Sequence, residues 1–192
     1  LLISGKEALV NDVDRYEDYI RYIERESENS QRNYWKNYMK GIEHNTVLPF
    51  VSSALLRTKG AGVYETSSLK IDSDTFKQIE NFIHSHHITL NTLIQGVWSV
   101  LLHQYTGNSD VTYGVVVSGR PDDLPEVEKR VGMFINTIPF RNIINGDLLS
   151  AEWLQKIQEE QVMSRNYQFT PLNEILGMSD VKGDLFDTIL VF

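Results

Sequence analysis

The sequence contains no cysteine, which excludes a disulfide framework, a thiol nucleophile, iron–sulfur ligation and cysteine-type zinc sites within these residues. It also lacks any apolar run close to the roughly 18 residues that a membrane span requires. Basic residues are the minority, with 18 Lys and Arg against 26 Asp and Glu and a net charge of −8. This balance argues against a general binder of phosphate backbones. We therefore expect neither a nucleic acid nor a membrane as partner.

The two ends of the chain also lack familiar signals. The opening LLISGKEALV has no basic segment followed by a long apolar stretch, so it does not resemble a signal peptide. It begins without an initiator methionine, and the last residues read as the middle of a strand. We expect both ends to be cut from a longer protein, and the cytoplasm is the default location.

What the sequence does contain is typical of one globular domain: 41% hydrophobic and 23% charged residues over 192 positions. Helical spacing predicts helices at about 12–27, 29–41 and 150–166, with short ones near 124–131 and after 171. Residues 72–74 offer N-caps to a further helix that carries Phe76 and Ile83, and Thr89 or Asn91 caps a helix over 93–105 that Gly107 breaks. Strand patterns cover 63–71, 110–119, 134–144 and 185–192, and 42–61 is predicted to be a surface loop. The helix at 93–105 is apolar on almost every face, which predicts central burial. Strands separated by helices indicate an α/β fold with a mostly buried sheet.

A histidine run at His84, His86 and His87 is the first candidate for chemistry. Histidine pairs can bind metal or take a proton, but helical ligands need a spacing of three or four residues, and no glutamate accompanies these. The run falls where one predicted helix ends, and histidine suits the negative end of the helix dipole. We interpret the run as a helix end and assign no metal site.

A more specific pattern lies between two predicted strands. The first ends in Ser118-Gly119-Arg120-Pro121, and the second begins near Gly132 and carries Asn136 and Thr137. Polar groups that suddenly appear at the ends of a buried strand lie where α/β proteins place their sites. A turn and a strand start with internally satisfied polar groups would give the same pattern, and composition alone favours that interpretation.

The stretch VTYGVVVSGRPDDLPEVEKRVGMFINTIPFR resembles the second half of condensation domains in bacterial non-ribosomal peptide synthetases. In that family a strand ending in VSGRP is followed by a GxFxNTxPxR strand, which residues 131–141 match. Four further family motifs occur in the family's order: Tyr16-Glu17-Asp18-Tyr19, then YWKNYMKGIEHNTVLPF, then residues 167–172, then residues 185–192. Residues 20–22 depart from the usual sequence after the first motif. Ordered matches over nearly the whole chain are far more specific than any single one.

The resemblance implies an α/β fold of the chloramphenicol-acetyltransferase-like superfamily, a lobe with a mixed sheet covered by helices. It implies that residues 1–192 form the C-terminal lobe of a condensation domain, and that the N-terminal lobe is absent. The catalytic HHxxxDG motif belongs to that missing lobe, so we assign no catalytic residue here and expect this lobe alone to be inactive. His86 and His87 imitate the motif, but Asn91 replaces its aspartate, Thr92 replaces its glycine, and a capped helix follows.

By the same resemblance, the full protein is a multidomain synthetase of antibiotics or other secondary metabolites. It would be an acyltransferase that forms amide bonds between aminoacyl or peptidyl thioesters on carrier proteins. No cofactor is expected to bind directly, because the phosphopantetheine arm belongs to the partner carriers. The expected partners are the N-terminal lobe, the donor and acceptor peptidyl carrier proteins, and an adjacent adenylation domain.

Six residues are expected to line the substrate tunnel or to support its architecture: Ser118, Gly119, Arg120, Gly132, Asn136 and Thr137. Arg120 cannot act as a base because its pKa is too high, and we expect a buried ion pair for it. Asn136 could bind a substrate carbonyl or hold its own loop, and both interpretations stay open here. Two alternatives to condensation also stay open: a non-catalytic docking lobe for a carrier protein or tailoring enzyme, and an epimerisation or heterocyclisation relative.

Overall fold

The computed structural model describes residues 16–25, 28–51, 63–121 and 123–192. The predictions for 12–15, 26–27 and the part of the loop at 52–61 lie outside the described residues. Within them the order of elements is α1 (Tyr16–Arg25), α2 (Glu28–Met39), α3 (Ser73–Ser85), α4 (Leu90–Thr106), β1 (Asp110–Val117), a 3₁₀ turn (Val127–Lys129), β2 (Asn136–Ile143), α5 (Ser150–Arg165), α6 (Leu172–Leu176) and β3 (Ile189–Leu190).

Local capping explains where α3 and α4 begin and where α4 ends. The Asp72 carboxylate accepts hydrogen bonds from the backbone N–H groups of Asp74 (3.0 Å) and Thr75 (2.9 Å), which satisfies donors that an uncapped helix leaves free. The Thr89 hydroxyl accepts from the N–H of Thr92 at 3.1 Å and starts α4. Gly107 ends α4 with a φ of 74°, in the left-handed region that glycine adopts without strain. These boundaries confirm the predicted caps.

The sheet is mixed and has the order β2-β1-β3. β1 pairs antiparallel with β2, from Asp110 opposite Ile143 to Val117 opposite Asn136. It pairs in parallel with β3, which is only two residues long and lies next to Gly114 and Val115. The α/β class with a mixed sheet is therefore confirmed, although the last strand is much shorter than predicted.

The predicted strand at 63–71 is wrong. These residues form no regular secondary structure and pair with none of the described strands, and Val63 and Tyr64 are 91% and 95% exposed. Residues with high strand propensity favour strands because their side chains pack well on a pleated, half-buried surface. The described residues provide no such surface beside this segment.

The predicted central burial of α4 is also wrong. Its exposed side includes Ile94, Val97 and Leu101, which are 38%, 53% and 41% exposed. The buried side carries small or polar residues beside Leu102, namely Thr92, Gln95, Gly96 and Ser99. A Cβ atom on Gly96 would lie 2.4 Å from Cδ2 of Leu154 on α5, so a larger residue would displace the Leu154 side chain.

Three hydrophobic clusters form the core. The first joins α4 and α5 to the sheet around Leu102, Tyr113 and Phe140. The second surrounds Trp35 of α2. The third surrounds Phe134, next to the polar turn after β1. Within the described residues, no helix combines the length and the apolar composition needed to cross a bilayer.

Candidate functional site

The turn after β1 brings the backbone of Gly119 against the strand that leads into β2. Gly119 has a φ of 62°, and a Cβ atom there would lie 1.7 Å from the carbonyl oxygen of Phe134. Any side chain would therefore force the two segments apart, and the left-handed conformation would add strain. The predicted importance of this glycine has a structural basis, which is the close contact between two backbones.

Arg120 lies in the same turn and is held by carbonyl groups. Its guanidinium donates to the carbonyl oxygens of Val127 and, at 3.2 Å, of Arg130. It also covers the ring of Phe134, with 4.0 Å between the guanidinium carbon and the ring centroid. The expected ion pair of Arg120 is wrong for the described residues, because no described carboxylate lies within ion-pair distance of it. Five guanidinium donors can satisfy several carbonyls at once, so this arginine closes the loop without a partner of opposite charge.

Gly132 provides the contact between this loop and α1. A Cβ atom at Gly132 would lie 2.1 Å from the ring of Tyr16. The Tyr16 hydroxyl donates to the carbonyl oxygen of Met133 at 2.6 Å. Tyr19 packs 4.5 Å from Phe134 between ring centroids, and burial raises the pKa of Tyr19 to about 12. Gly132 thus leaves room for the ring of Tyr16, which packs against this loop.

Asn136 holds its own loop. Its side-chain nitrogen donates to the carbonyl oxygens of Gln168 (2.8 Å) and Thr170 (2.9 Å), and its side-chain oxygen accepts from the N–H of Thr137 (2.8 Å). Both hydrogens and the oxygen of the amide are engaged, which favours the second of the two interpretations left open above. Thr137 continues β2 opposite Val116.

Gln168 is a residue that sequence reasoning did not single out. Its side-chain oxygen accepts from the N–H of Gly119 at 3.3 Å, and its backbone carbonyl accepts from Asn136. The side chain is 8% exposed. It therefore joins three separated sequence motifs at one point, and its place inside the matched segment 167–172 was the only signal that could have indicated it.

Two other arginines make ion pairs here: Arg130 lies 3.1 Å from a carboxylate oxygen of Asp18 on α1, and Arg141 pairs with Asp110. Nη2 of Arg141 lies 2.6 Å from a carboxylate oxygen of Asp110 on the neighbouring strand, and Nε also donates to that carboxylate. The pKa of Arg141 is raised, chiefly by the hydrogen bond to Asp110. This pair ties the beginning of β1 to the end of β2.

A cavity of about 680 Å³ lies beside the carboxyl end of β1. Ser118 and Arg120 line it, whereas the other four expected site residues, Gly119, Gly132, Asn136 and Thr137, do not. The opposite wall comes from α4 and α5 and is mostly polar, with Asn91, Gln95, Gln161 and Ser164. The sheet contributes apolar surface from Val115, Val117, Ile138 and Phe140. Charged residues line it as well, namely Arg120, Asp123 and Arg165, so the cavity combines apolar, neutral polar and charged surface.

The histidines lie elsewhere. All five fall within the described residues, and none lines the cavity. His84 lies in the last turn of α3, and the ring of His86 packs 4.7 Å from the ring of Phe82. Thr89 caps the helix that follows, which agrees with the prediction that His86 and His87 precede a helix. In the described part of the chain, no group of three or more His, Asp or Glu could hold a metal ion.

Comparison with known proteins points to one family. A family model described as "Condensation domain" matches residues 2–192. Bacitracin synthase 3 of Bacillus licheniformis is 35% identical over 192 residues, which cover 99% of this chain and 3% of that protein. Tyrocidine synthase 2 of Brevibacillus parabrevis is 34% identical over 192 residues, which cover 100% of this chain and 5% of that protein. This chain therefore spans a small fraction of the length of these relatives.

Two solved structures share the fold. The first condensation domain of the calcium-dependent antibiotic synthetase superposes with a TM-score of 0.72 at 18% identity, over 100% of this chain and 42% of that one. The teicoplanin biosynthesis X-domain, in its complex with OxyB, superposes with a TM-score of 0.69 at 25% identity, over 87% of this chain and 37% of that one.

Proposed function

The chain belongs to the condensation-domain family of non-ribosomal peptide synthetases, and from that membership we propose that it forms one wall of a cavity in which two carrier-bound substrates are joined by an amide bond. We propose further that residues 1–192 are the C-terminal lobe of the domain and that an N-terminal lobe supplies the opposite wall.

The observation that carries this proposal is the cavity beside β1. It is lined by the Ser118 and Arg120 side chains of the family's SGRP motif, and no histidine lines it. Arg120 is committed to backbone carbonyls and cannot take a proton. The cavity can hold and orient a polar substrate, but its own walls offer no histidine base.

The proposed reaction balances with a base from the other lobe. The amine nitrogen of the acceptor bonds to the thioester carbonyl carbon of the donor, the carbon–sulfur bond breaks, and the sulfur leaves as the thiol after the amine loses a proton. A histidine of an HHxxxDG motif in the N-terminal lobe would orient or deprotonate that amine. The present lobe would contribute binding and positioning.

The proposal fixes the partners as well. Donor and acceptor peptidyl carrier proteins would deliver their substrates on phosphopantetheine arms, and an adenylation domain would adjoin in the same protein. The arm would arrive as part of the substrate, so this chain needs no cofactor of its own. We propose that the protein is located in the cytoplasm.

The direct test compares the isolated chain with the full-length protein. Each is mixed with loaded donor and acceptor carriers, and the product is detected by mass spectrometry. We expect an amide product from the full-length protein and none from residues 1–192 alone. Product from the isolated chain would overturn the two-lobe account, and a full-length protein that keeps HHxxxDG but forms no amide bond would overturn condensation.

A docking lobe is the second candidate, and one observation favours it. The teicoplanin X-domain was solved in complex with OxyB, and its identity to this chain, 25%, exceeds that of the condensation domain above. A full-length protein that binds a carrier or tailoring enzyme tightly but forms no product, and whose HHxxxDG motif is degraded, would select this candidate. An epimerisation or heterocyclisation relative would instead convert a single loaded carrier, which the same assay detects.

A further inference from the structure

One flank of α4 presents an apolar stripe to solvent. The stripe consists of four side chains that recur every three or four positions and are 38% to 56% exposed, namely Ile94, Val97, Leu101 and Tyr105. Phe50 contacts one end of the stripe, with 5.5 Å between its ring centroid and that of Tyr105, and is itself 69% exposed. A continuous apolar face on a helix usually packs against a partner, so the stripe calls for one.

The stripe faces away from α5. Gly96 faces α5, because the position of its Cβ lies 2.4 Å from Cδ2 of Leu154. Ser99 faces the sheet, where its hydroxyl lies 3.4 Å from the hydroxyl of Tyr113. Successive residues of an α-helix are about 100° apart around its axis, which puts the stripe roughly opposite Gly96. One flank of α4 therefore packs on α5, and the other flank carries the stripe.

The stripe lies over the β3 side of the sheet. α5 covers the β2 side, where the indole nitrogen of Trp153 donates to the carbonyl oxygen of Ile143 at 3.0 Å. The strand order is β2-β1-β3, and Leu190 of β3 packs against the cluster that contains Leu102 of α4. Because the stripe is on the flank of α4 opposite to α5, it projects past β3, over the position that a further strand of the sheet would occupy.

β3 has one unpaired edge. Ile189 lies opposite Gly114 of β1, whose N–H donates to the carbonyl oxygen of Thr188 at 2.9 Å. In a parallel pair this register directs the N–H of Leu190 towards β1, whereas the N–H and the carbonyl of Ile189 point to the other side. β3 is the last strand in the order of the described sheet, so these two groups face away from it. An edge of this kind can pair with another strand.

One other described segment pairs near β3 without reaching it. Thr46 forms a single isolated bridge with Phe186, three residues before Ile189. No described strand continues that bridge along β3. Val191, directly after β3, is 73% exposed. The free edge and the apolar stripe adjoin each other, and one β-strand with alternating apolar side chains would fill both.

A domain of this fold contains more chain than residues 1–192. The first condensation domain of the calcium-dependent antibiotic synthetase superposes on all of this chain, which covers 42% of that domain. More than half of that domain therefore has no counterpart here. A strand from the same polypeptide reaches β3 at a high effective concentration, whereas a second copy or a carrier protein loses translational and rotational freedom on binding. This difference favours the same polypeptide as the source of the strand.

We propose that the apolar stripe of α4 and the free edge of β3 form the docking site for a β-strand of the same polypeptide that lies outside residues 1–192. The strand pairs with the backbone of Ile189 and turns alternate apolar side chains towards Val97 and Leu101. The inference goes beyond the proposed function and does not depend on the reaction.

The first test measures amide hydrogen exchange in the wild-type full-length protein, at single-amide resolution. We expect the Ile189 amide to exchange about a hundredfold or more slowly than in an unfolded peptide, because the added strand accepts its hydrogen bond. Leu190 is the internal control, since its N–H points to β1 whether or not the strand is present. Exchange of the Ile189 amide at the rate of an unfolded peptide would overturn the inference. This measurement needs no variant.

The second test measures the accessibility of the stripe in the full-length protein. Residues 1–192 contain no cysteine, so peptide mass spectrometry can follow a single introduced thiol. Val97→Cys and Leu101→Cys are compared with Lys77→Cys on α3, where the lysine side chain is 71% exposed. We expect iodoacetamide to modify the two stripe positions about tenfold more slowly than the control, because the strand covers them. Equal rates at all three positions would contradict the proposed docking site.

A photo-crosslink identifies what covers the stripe. Benzoylphenylalanine replaces Leu101 in the full-length protein, and a mixture of two isotopically labelled forms separates links within one molecule from links between molecules. We expect a link within one molecule to a segment outside residues 1–192. A link to a second copy, to a carrier protein or to residues 52–62 would overturn the inference.

The inference and the proposed function can fail separately. Product formation by a protein whose Ile189 amide exchanges freely would remove the docking strand and leave condensation intact. A protected Ile189 amide and a covered stripe, in a protein that joins no substrates, would keep the docking strand and remove the proposed reaction.

Discussion

At the scale of single residues, the site depends on close backbone contact more than on charge. Gly119 touches the carbonyl of Phe134, Arg120 donates to carbonyls of the following loop, and Asn136 donates to the carbonyls of Gln168 and Thr170. The hydrogen bonds from Arg120 and Asn136 give these carbonyls a partner, whereas the contact of Gly119 is steric. The residues around the cavity therefore hold three loops together, and the cavity takes its shape from them.

Gly119→Ala is expected to destabilise the fold strongly. The left-handed φ of 62° costs a side chain about 1–2 kcal/mol. The contact of Cβ with the Phe134 carbonyl at 1.7 Å adds a backbone displacement, so we expect the free energy of unfolding to fall by about 3 kcal/mol or more in total. Urea denaturation followed by circular dichroism measures this change.

Gly107→Ala separates the two contributions. Gly107 has a similar φ of 74°, but nothing lies within 4 Å of the position of its Cβ. Its loss should be confined to about 1–2 kcal/mol. Equal losses for the two variants would show that the contact with Phe134 contributes nothing.

At the scale of elements, Arg141 connects one helix with two strands. From β2 it donates to the carboxylate of Asp110 at the start of β1. It also donates to the carbonyl oxygens of Tyr38, Lys40 and Gly41, where α2 ends. Carbonyls at a helix C-terminus lack intrahelical donors and carry partial negative charge, so a guanidinium suits them. One side chain thus fixes α2 against the edge of the sheet.

Replacing Arg141 with Lys should show that geometry matters as well as charge. A lysine keeps the positive charge but cannot reach a carboxylate and three carbonyls from one position. We expect Arg141→Lys to lower the free energy of unfolding by about 2 kcal/mol. Asp110→Asn keeps the carbonyl contacts and should lower it by about 1 kcal/mol. If Arg141→Lys unfolds at the same urea concentration as the wild-type protein, the fork of hydrogen bonds does not stabilise this junction.

At the scale of the whole molecule, buried tyrosines are associated with all three hydrophobic clusters. Burial raises the pKa of Tyr19, Tyr34, Tyr38 and Tyr113 above the usual value near 10, and that of Tyr19 reaches about 12. A raised pKa means that the folded chain holds the phenolic proton more tightly than the unfolded chain does. The resulting stability is complete below pH 10 and is lost as the pH rises through the folded pKa.

We therefore expect the free energy of unfolding to fall between about pH 10 and pH 12. Tyr19→Phe should make this fall less steep, because it removes one group whose proton uptake differs between the two states. Tyr64→Phe is the control, since Tyr64 is 95% exposed. Urea denaturation at a series of pH values, with phenolate absorbance recorded in parallel, measures both. A stability that does not change over this range would contradict the assignment of buried, neutral tyrosines.

Local patterns in the sequence determined a large part of this structure. The caps at Asp72, Thr89 and Gly107 were readable because a helix end requires particular groups within a few positions. β1 and β2 were readable from their β-branched runs and bounding glycines. The ordered motifs from Tyr16 to Phe192 indicated the family, which the comparisons confirm.

Only the tertiary structure decided which groups meet. Gly96 faces Leu154 of α5, and apolar residues on the other side of α4 are exposed. The apolar composition of α4 had predicted burial on almost every face. Arg120 found carbonyls instead of a carboxylate, and Gln168 proved to join three motifs. Only the folded structure shows that the side-chain oxygen of Gln95 and the side-chain nitrogen of Gln161 are buried without a hydrogen-bond partner among the described residues. The physical reason is that helix and strand formation depend on neighbours in sequence, whereas the partner of a buried polar atom is set by segments that meet only after the chain has folded.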